Sequence, residues 1–334
     1  MQRILLDHGS GGRASLRLIN ELFLRHFGNA ILESLDDAAC LELNGRVAMS
    51  TDTFTVDPLI FPGGDIGSLA VHGTINDVAM LGGDPKYLSC GFIIEEGLEL
   101  SLLERIVASM AQAAELAGVS IVTGDTKVVP RGAADKLFIN TTGLGSISVA
   151  NPPGGARAAE GDAVLISGSV GDHGLTIMSS REGLEFETPV QSDSAALHWL
   201  IKRLLDELPE VHVLRDPTRG GLATTLNEIA AQSAGEVYIN EEAIPVKPEV
   251  REGCSFLGLD PLYLANEGKL LCILPEELSD RALEIMRQDP VGREAAIIGG
   301  IVSGRRAGRV VLQTRIGGQR LLTMLEGEQL PRIC

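Results

Sequence analysis

Tyr87-Leu88-Ser89-Cys90-Gly91-Phe92-Ile93-Ile94, then Leu102 to Ala117 closed by Gly118, then Val119-Ser120-Ile121-Val122: this succession decides the fold class. The first run is mostly apolar and of strand length. The second is a helix stopped by its glycine, and the third is again a short apolar strand. Strand, helix and strand in that order predict an α/β domain packed on aliphatic side chains.

Working outward toward the N-terminus, Asp65 to Leu81 reads as a helix stopped by Gly82-Gly83, and Val47 to Asp52 as a strand ending in an acid. Ile4-Leu5-Leu6 leads into a glycine-rich turn. After it, Leu16, Ile19, Leu22, Phe23 and Phe27 fall at helical spacing across Ser15 to Phe27. In the other direction Leu137–Ile147 alternates like a further strand, and Asn151-Pro152-Pro153-Gly154-Gly155 is the strongest punctuation in the chain. Beyond it the alternation resumes, with strands near Ala163–Ile166, Val211–Leu214, Leu270–Leu274 and Ile297–Val302. Helices are expected near Leu175–Ser180, Ala195–Leu205, Leu222–Ala231 and Asp280–Gln288. Val310–Thr314 and Arg320–Leu325 flank Gly317-Gly318 as a hairpin. The expected organisation is a glycine-rich segment and helix over 1–35, an α/β domain over 36–150, a second over 151–308, and a hairpin with a tail over 309–334.

A chain of 334 residues has room for two cores of ordinary size. Its net charge of −17, from 45 acidic against 28 basic residues, disfavours nucleic acid and anionic membranes, since both are themselves negative. No apolar run approaches the roughly 18 residues of a membrane span, and no leader opens the chain, so a soluble cytoplasmic protein is expected. The five cysteines, at 40, 90, 254, 272 and 334, are widely spaced and include no C-x-x-C pair. That argues against a disulfide framework and a structural zinc, and Cys40, Cys90, Cys254 and Cys272 are expected to be buried small hydrophobes.

Cys334 is different, because it closes a Leu330-Pro331-Arg332-Ile333 lead-in. The arm from Gly327 can sweep on the order of 25 Å when extended, enough to carry a sulfur from one site to another. A nucleophilic thiol there needs a cationic setting, to which Arg332 contributes.

Other candidates for chemistry fall in turns and at strand ends. His8-Gly9-Ser10-Gly11-Gly12-Arg13 can wrap phosphate oxygens with backbone N–H groups; it also reads as a plain tight turn. Gly9, Gly11 and Ala14 match G-x-G-x-x-A literally, but no second strand ending in an acid follows at the required distance. Asp36, Asp37, Asp52, Asp77, Asp125 and Asp216 are hard oxygen ligands suited to Mg²⁺ and, through it, to nucleotide phosphates. There is no P-loop motif. Lys127 follows an apolar strand and can steady phosphate charge, while Glu267 precedes another strand and can be a base raised by burial.

Several separated segments match one family at once. They are Asp36-Asp37-Ala38-Ala39, Ser50-Thr51-Asp52-Thr53-Phe54, Phe61-Pro62-Gly63-Gly64-Asp65-Ile66-Gly67, Gly73-Thr74-Ile75-Asn76-Asp77-Val78-Ala79-Met80, Gly124-Asp125-Thr126-Lys127-Val128, Arg215-Asp216-Pro217-Thr218-Arg219-Gly220-Gly221-Leu222, Asn266-Glu267-Gly268 and Pro331-Arg332-Ile333-Cys334. Over nearly its whole length the chain resembles the HypE family of hydrogenase maturation proteins, the carbamoyl dehydratases. The resemblance implies two α/β domains of the aminoimidazole ribonucleotide synthetase-like (α+β) fold, a flexible C-terminal tail, and a homodimer joined through the N-terminal domains. It implies ATP and Mg²⁺ as cofactors, with Gly9, Gly11, Gly12, Asp37, Asp52, Asn76, Asp77, Asp125 and Asp216 around the nucleotide. Asp37, Asp52, Asp77 and Asp216 would hold metal. By the same resemblance, the carbamoyltransferase HypF loads a carbamoyl group onto Cys334, and ATP drives its dehydration to a thiocyanate, with Lys127 and Glu267 handling amide protons or polarising the oxygen. The cyano group then passes, with the HypC–HypD complex, to the iron of a [NiFe]-hydrogenase.

Two other readings are weighed against this one. A selenophosphate synthetase-like enzyme would act on a free small molecule, but such enzymes carry a reactive Cys or selenocysteine in the glycine-rich N-terminal segment, and His8 to Arg13 has none. A non-catalytic carrier would use Cys334 only as a ferry; the acidic residues argue against it.

Overall fold

The computed structural model describes residues 3–10, 12–35, 38–182, 190–302, 308–326 and 332–334. The first half of the chain forms β1 (Arg46–Phe54), β2 (Ile60–Phe61), β3 (Gly64–Asp65), β4 (Gly83–Glu95), β5 (Ser120–Val129) and β6 (Leu137–Ile147). A helical run precedes them, α1 (Arg13–Leu18) continuing through Ile19–Phe23 into α2 (Leu24–Phe27), and α3 (Ile66–Met80) and α4 (Leu100–Ala117) lie among them. The second half contributes β7 (Asp162–Ile166), β8 (Val213–Arg215), β9 (Glu236–Asn240), β10 (Leu271–Pro275), β11 (Ala296–Val302), β12 (Arg309–Gln313) and β13 (Gln319–Leu322). Its helices are α5 (Asp172–Glu182), α6 (His198–Glu207), α7 (Gly221–Ser233), α8 (Pro248–Leu257) and α9 (Ser279–Arg287).

Among the described residues, the first half builds a four-stranded sheet ordered β1-β6-β4-β5 and the second a seven-stranded sheet ordered β13-β12-β9-β11-β7-β10-β8. The β4–α4–β5 unit gives a parallel pair, as a helical crossover between strands requires. The other pairs of both larger sheets are antiparallel except β9 with β12, so the architecture is α+β with mixed sheets. Residues 124–127 lie inside β5 rather than beyond a short strand, and β9 and α8 are elements that the alternation did not announce.

Local chemistry sets the elements that carry the site. Gly118 closes α4 at φ +67, a conformation that glycine adopts without a Cβ penalty. Asp65 caps α3, its Oδ1 accepting from the Gly67 and Ser68 N–H groups at 2.8 and 3.0 Å. Helix α3 is buried nearly all round, because one side packs on β1 and β6 and the others on α4, α6 and β8. It thus packs on elements of both halves, and it places Asp77 beside Asp52 of β1.

Candidate functional site

A cleft between the two sheets is lined by Asp52 of β1, Asp77 of α3, Asp216 just after β8, Arg219, Glu267 and Cys334, with Gly154 and Gly155 along one wall. Ser50 Oγ donates to Asp77 Oδ2 at 2.7 Å. Burial, then the charge of Asp77 and a hydrogen bond with it, raise Asp52 to about 6, opposed by Arg219. Burial, then the Asp77 charge, raise Asp216 to about 7, although its own backbone N–H and Arg215 oppose the rise. Glu267 lies well above the carboxylate range, first through burial and then through Asp216, Asp193, Asp52 and Asp77. Its Oε1 has no partner among the described residues.

The backbone holding Glu267 is tied down from three sides. Asn266 accepts from the Gly171 N–H at 2.7 Å and donates to the carbonyls of Pro217 and Leu264 at 2.9 and 3.0 Å. Asp193 accepts from the N–H groups of Glu267 and Gly268 at 3.2 and 3.3 Å and pairs with Lys269 at 3.6 Å. Asn266 and Arg219 lie within motifs already singled out in the sequence. Asp193 carries no such signal, because only the fold brings it to residue 267.

The end of the chain is packed rather than free. The Cys334 main-chain oxygen accepts from the Thr55 N–H at 3.0 Å, and the Arg332 carbonyl from the Asp57 N–H at 3.3 Å. Arg332 Nε donates to the Thr55 carbonyl at 2.8 Å, and its guanidinium pairs with Asp135 and lies 5.8 Å from the Phe138 ring centre. Ile333, only 5% exposed, joins the same apolar core as Val56, Phe61, Ile177 and Ala265, so the tail is an integral part of the packing. Residues 327–331, the expected arm, lie outside the described residues. Burial, then Glu267, push the Cys334 thiol up to about 12; Arg219 opposes the rise and Asp52 adds to it. Docked, the sulfur is a protonated thiol or an adduct, not a free thiolate.

Not every expected residue meets here. Asp125 and Lys127 form an exposed ion pair at 3.1 Å on β5, at the opposite edge of the sheet from Asp52. They line a second cavity with His8, Gly9, Phe23 and Phe27. Gly9 is there for close approach, since a Cβ would come within 2.4 Å of the Val128 nitrogen. Gly12 precedes α1 as its N-cap, while Gly11, Asp36 and Asp37 lie outside the described residues. Asn76, expected beside the nucleotide, is 1% exposed and spends its amide on the Ala195 carbonyl at 2.9 Å and the Leu197 N–H at 2.8 Å. It thereby anchors the approach to α6. Cys40, expected in the core, is exposed because the chain from 39 to 44 runs outside any helix or strand.

Hard carboxylate oxygens crowded enough to raise one another's pKa suit a divalent cation, and so does an orphaned buried Glu267 oxygen. Among the described residues no three His, Cys, Asp or Glu side chains converge into a ready-made metal centre. Cation binding would therefore draw these acids together with other ligands.

Two family models match the chain: AIR synthase related protein, N-terminal domain, over residues 35–147, and AIR synthase related protein, C-terminal domain, over residues 159–311. The sequence is 57% identical to carbamoyl dehydratase HypE of Azotobacter vinelandii over 332 residues, covering 98% of this chain and 96% of that protein. A crystal structure of hydrogenase maturation protein HypE in complex with ATP superposes with a TM-score of 0.97 at 65% identity, covering 99% of both chains. A crystal structure of a HypE–HypF complex matches with a TM-score of 0.81 at 46% identity, over 92% of this chain and 99% of that one.

Proposed function

The chain belongs to the HypE family of carbamoyl dehydratases within the AIR synthase related proteins, and from that premise we propose how its residues divide the work. It is an ATP-dependent carbamoyl dehydratase of hydrogenase maturation. Cys334 carries the carbamoyl group as a thioester-like adduct. The amide oxygen takes the γ-phosphoryl group of ATP and then leaves as phosphate with the C–O electron pair, while the nitrogen gives up its two protons and the S–C≡N triple bond forms. Oxide leaves an amide carbon poorly; phosphate leaves well, and the balance is carbamoyl plus ATP to cyano plus ADP and phosphate.

The observation that carries this division is that Cys334 shares one cleft with Asp52, Asp77, Asp216 and Glu267. Glu267, whose carboxyl burial and the surrounding acids push well above the carboxylate range, stands in that cleft as the group that exchanges an amide proton. Asp52, Asp77 and Asp216, with Asp37, would hold Mg²⁺, which when bound neutralises phosphate charge. Packing of Ile333 against the core seats the end of the chain, which holds the adduct in the cleft beside these groups.

Lys127 and Asp125 enter through a homodimer. Among the described residues both β1 and β5 are edge strands of the same sheet, each with one unpaired side. Joining β1 of one copy to β5 of the other brings the half-site of Lys127, Asp125, Gly9 and Gly12 to the half-site of Asp52 and Cys334. The carbamoyl group comes from a HypF-type carbamoyltransferase, and the cyano group goes on with a HypC–HypD complex to the hydrogenase iron. The place of action is the cytoplasm; no described helix is long and apolar enough to cross a membrane.

Intact mass and tail-peptide mapping after loading with HypF, before and after Mg-ATP, test the reading. Loss of one water's mass on the Cys334 peptide is expected, and Cys334→Ser abolishes it while ATP still binds. A carbamoyl group that stays unchanged despite bound ATP contradicts the assignment.

A further inference from the structure

The tail is held by both halves of the molecule. Thr55 and Asp57, continuing from β1, offer backbone N–H groups, and the Thr55 hydroxyl also donates to the Cys334 main-chain oxygen at 3.3 Å. Helix α5 offers side chains. Arg181 Nη2, near its end, donates to the Arg332 carbonyl at 2.9 Å. His173, in its first turn and 0% exposed, has Nε2 2.7 Å from the Ile333 carbonyl oxygen.

The protonation pattern of His173 follows from its partners. A carbonyl only accepts, so Nε2 carries the hydrogen. Ser192 Oγ, 2.8 Å from Nδ1, already accepts the Ser194 N–H at 3.1 Å and so turns its own hydrogen to Nδ1. Burial, the largest influence, lowers the imidazole pKa and keeps this neutral form. The edge of Phe61, with ring centres 5.6 Å apart, fixes the ring plane. The tail thus supplies the only acceptor that the described residues give Nε2, and its departure leaves a fully buried donor unpaired. One residue beyond Ser192, Asp193 holds the N–H groups of Glu267 and Gly268, so the segment that orients His173 also places Glu267.

We propose that His173 is a positioning residue for the dehydration: its Nε2–H grips the Ile333 carbonyl and so sets the depth at which the Cys334 sulfur stands beside Glu267. This rests on the reading that Cys334 reacts while docked. The primary assay needs neither a carbamoyl group nor ATP, so docking is tested apart from the chemistry.

In a Cys40→Ser background, alkylation of Cys334 by iodoacetamide is followed by mass analysis of the tail peptide. His173→Phe keeps the bulk but not the donor, and is expected to speed labelling about tenfold, the size of one buried hydrogen bond. His173→Gln restores an amide N–H and is expected to label within about twofold of the parent. In single turnovers of carbamoylated protein the Phe variant slows by a like factor, with ATP affinity unchanged. His173→Leu takes the place of the Phe variant if that one does not fold. Parental labelling in the apolar variants overturns the inference, and so does a Gln variant as fast as the Phe variant, because the hydrogen bond would then not be what holds the tail.

Discussion

Replacing Asp216 by Asn should stabilise the nucleotide-free protein at pH 8 and leave it unchanged at pH 4. Folding raises the Asp216 carboxyl from the ordinary 3.8 to about 7, chiefly by burial and then by the charge of Asp77. The folded state therefore holds this proton more tightly than the unfolded chain does, and stability falls as pH climbs from about 4 to about 7. At 1.36 kcal/mol per pKa unit the loss is about 4 kcal/mol, and it reduces to about 2 kcal/mol because the side chain stands in a cleft that water reaches. Asn keeps the shape and cannot ionise, so it recovers that amount. Urea unfolding midpoints at pH 4 and pH 8, without nucleotide or metal, measure the difference. Saturating Mg-ATP should reverse the order at pH 8, since ligand that binds the folded parent adds stability as RT ln(1 + [L]/Kd). An Asn variant weaker than the parent at pH 8, or a gap equal at both pH values, would refute the argument that uncompensated burial of this acid strains the empty cleft.

Three further outcomes are expected. Asn76→Ala leaves the Leu197 N–H and Ala195 carbonyl without their partner, and should cost about 2–3 kcal/mol in urea titration while sparing ATP affinity. Lys127→Ala and Cys334→Ser variants, each inactive alone, should regain cyanation when unfolded and refolded together, because a mixed form of the proposed dimer holds one complete pair of half-sites; no recovery would contradict the division of the site between two copies. Arg332→Ala removes the pair with Asp135 and the hydrogen bond to Thr55, and should expose Cys334 to alkylation several-fold faster without lowering the thermal midpoint of the body.

Much of the fold was legible because it rests on short-range signals. The β4–α4–β5 unit could be read from two apolar runs and a glycine stop, and α3 from its acidic cap and the Gly82-Gly83 stop. Elements with a weak pattern were not: β9 is a short strand followed directly by acidic residues, and α8 begins at Pro248 and closes at Gly258 but carries two glutamates and an arginine in its first turns, which blur its apolar face. The acids of the cleft were legible as a set, since Asp52, Asp77 and Asp216 each terminate or ride an element with a clear pattern. Asp193 and His173 were not, because their work is to hold backbone groups distant in sequence, and such partners are chosen by the fold.

The separation of Lys127 from Glu267 shows where residue-by-residue reading stops. Both fit proton chemistry in sequence, yet in one chain Lys127 lies on β5, the far edge of the four-stranded sheet from Asp52 of β1, while Glu267 precedes β10 of the other sheet and lines a different cavity. A carbamoyl group on Cys334 would share a cleft with Glu267, whose charge already acts on the docked sulfur. Lys127, exposed and paired among the described residues only with Asp125, has no route to that sulfur inside the same chain short of dismantling β4 and β6, which pair from Gly83 to Ile94. If Lys127 serves the reaction, it serves it across an interface, so dissociation of the dimer by dilution should abolish dehydration while leaving Cys334 carbamoylated. Carbamoylated protein that still turns over as an isolated monomer would confine the chemistry to Glu267 and the acids around it.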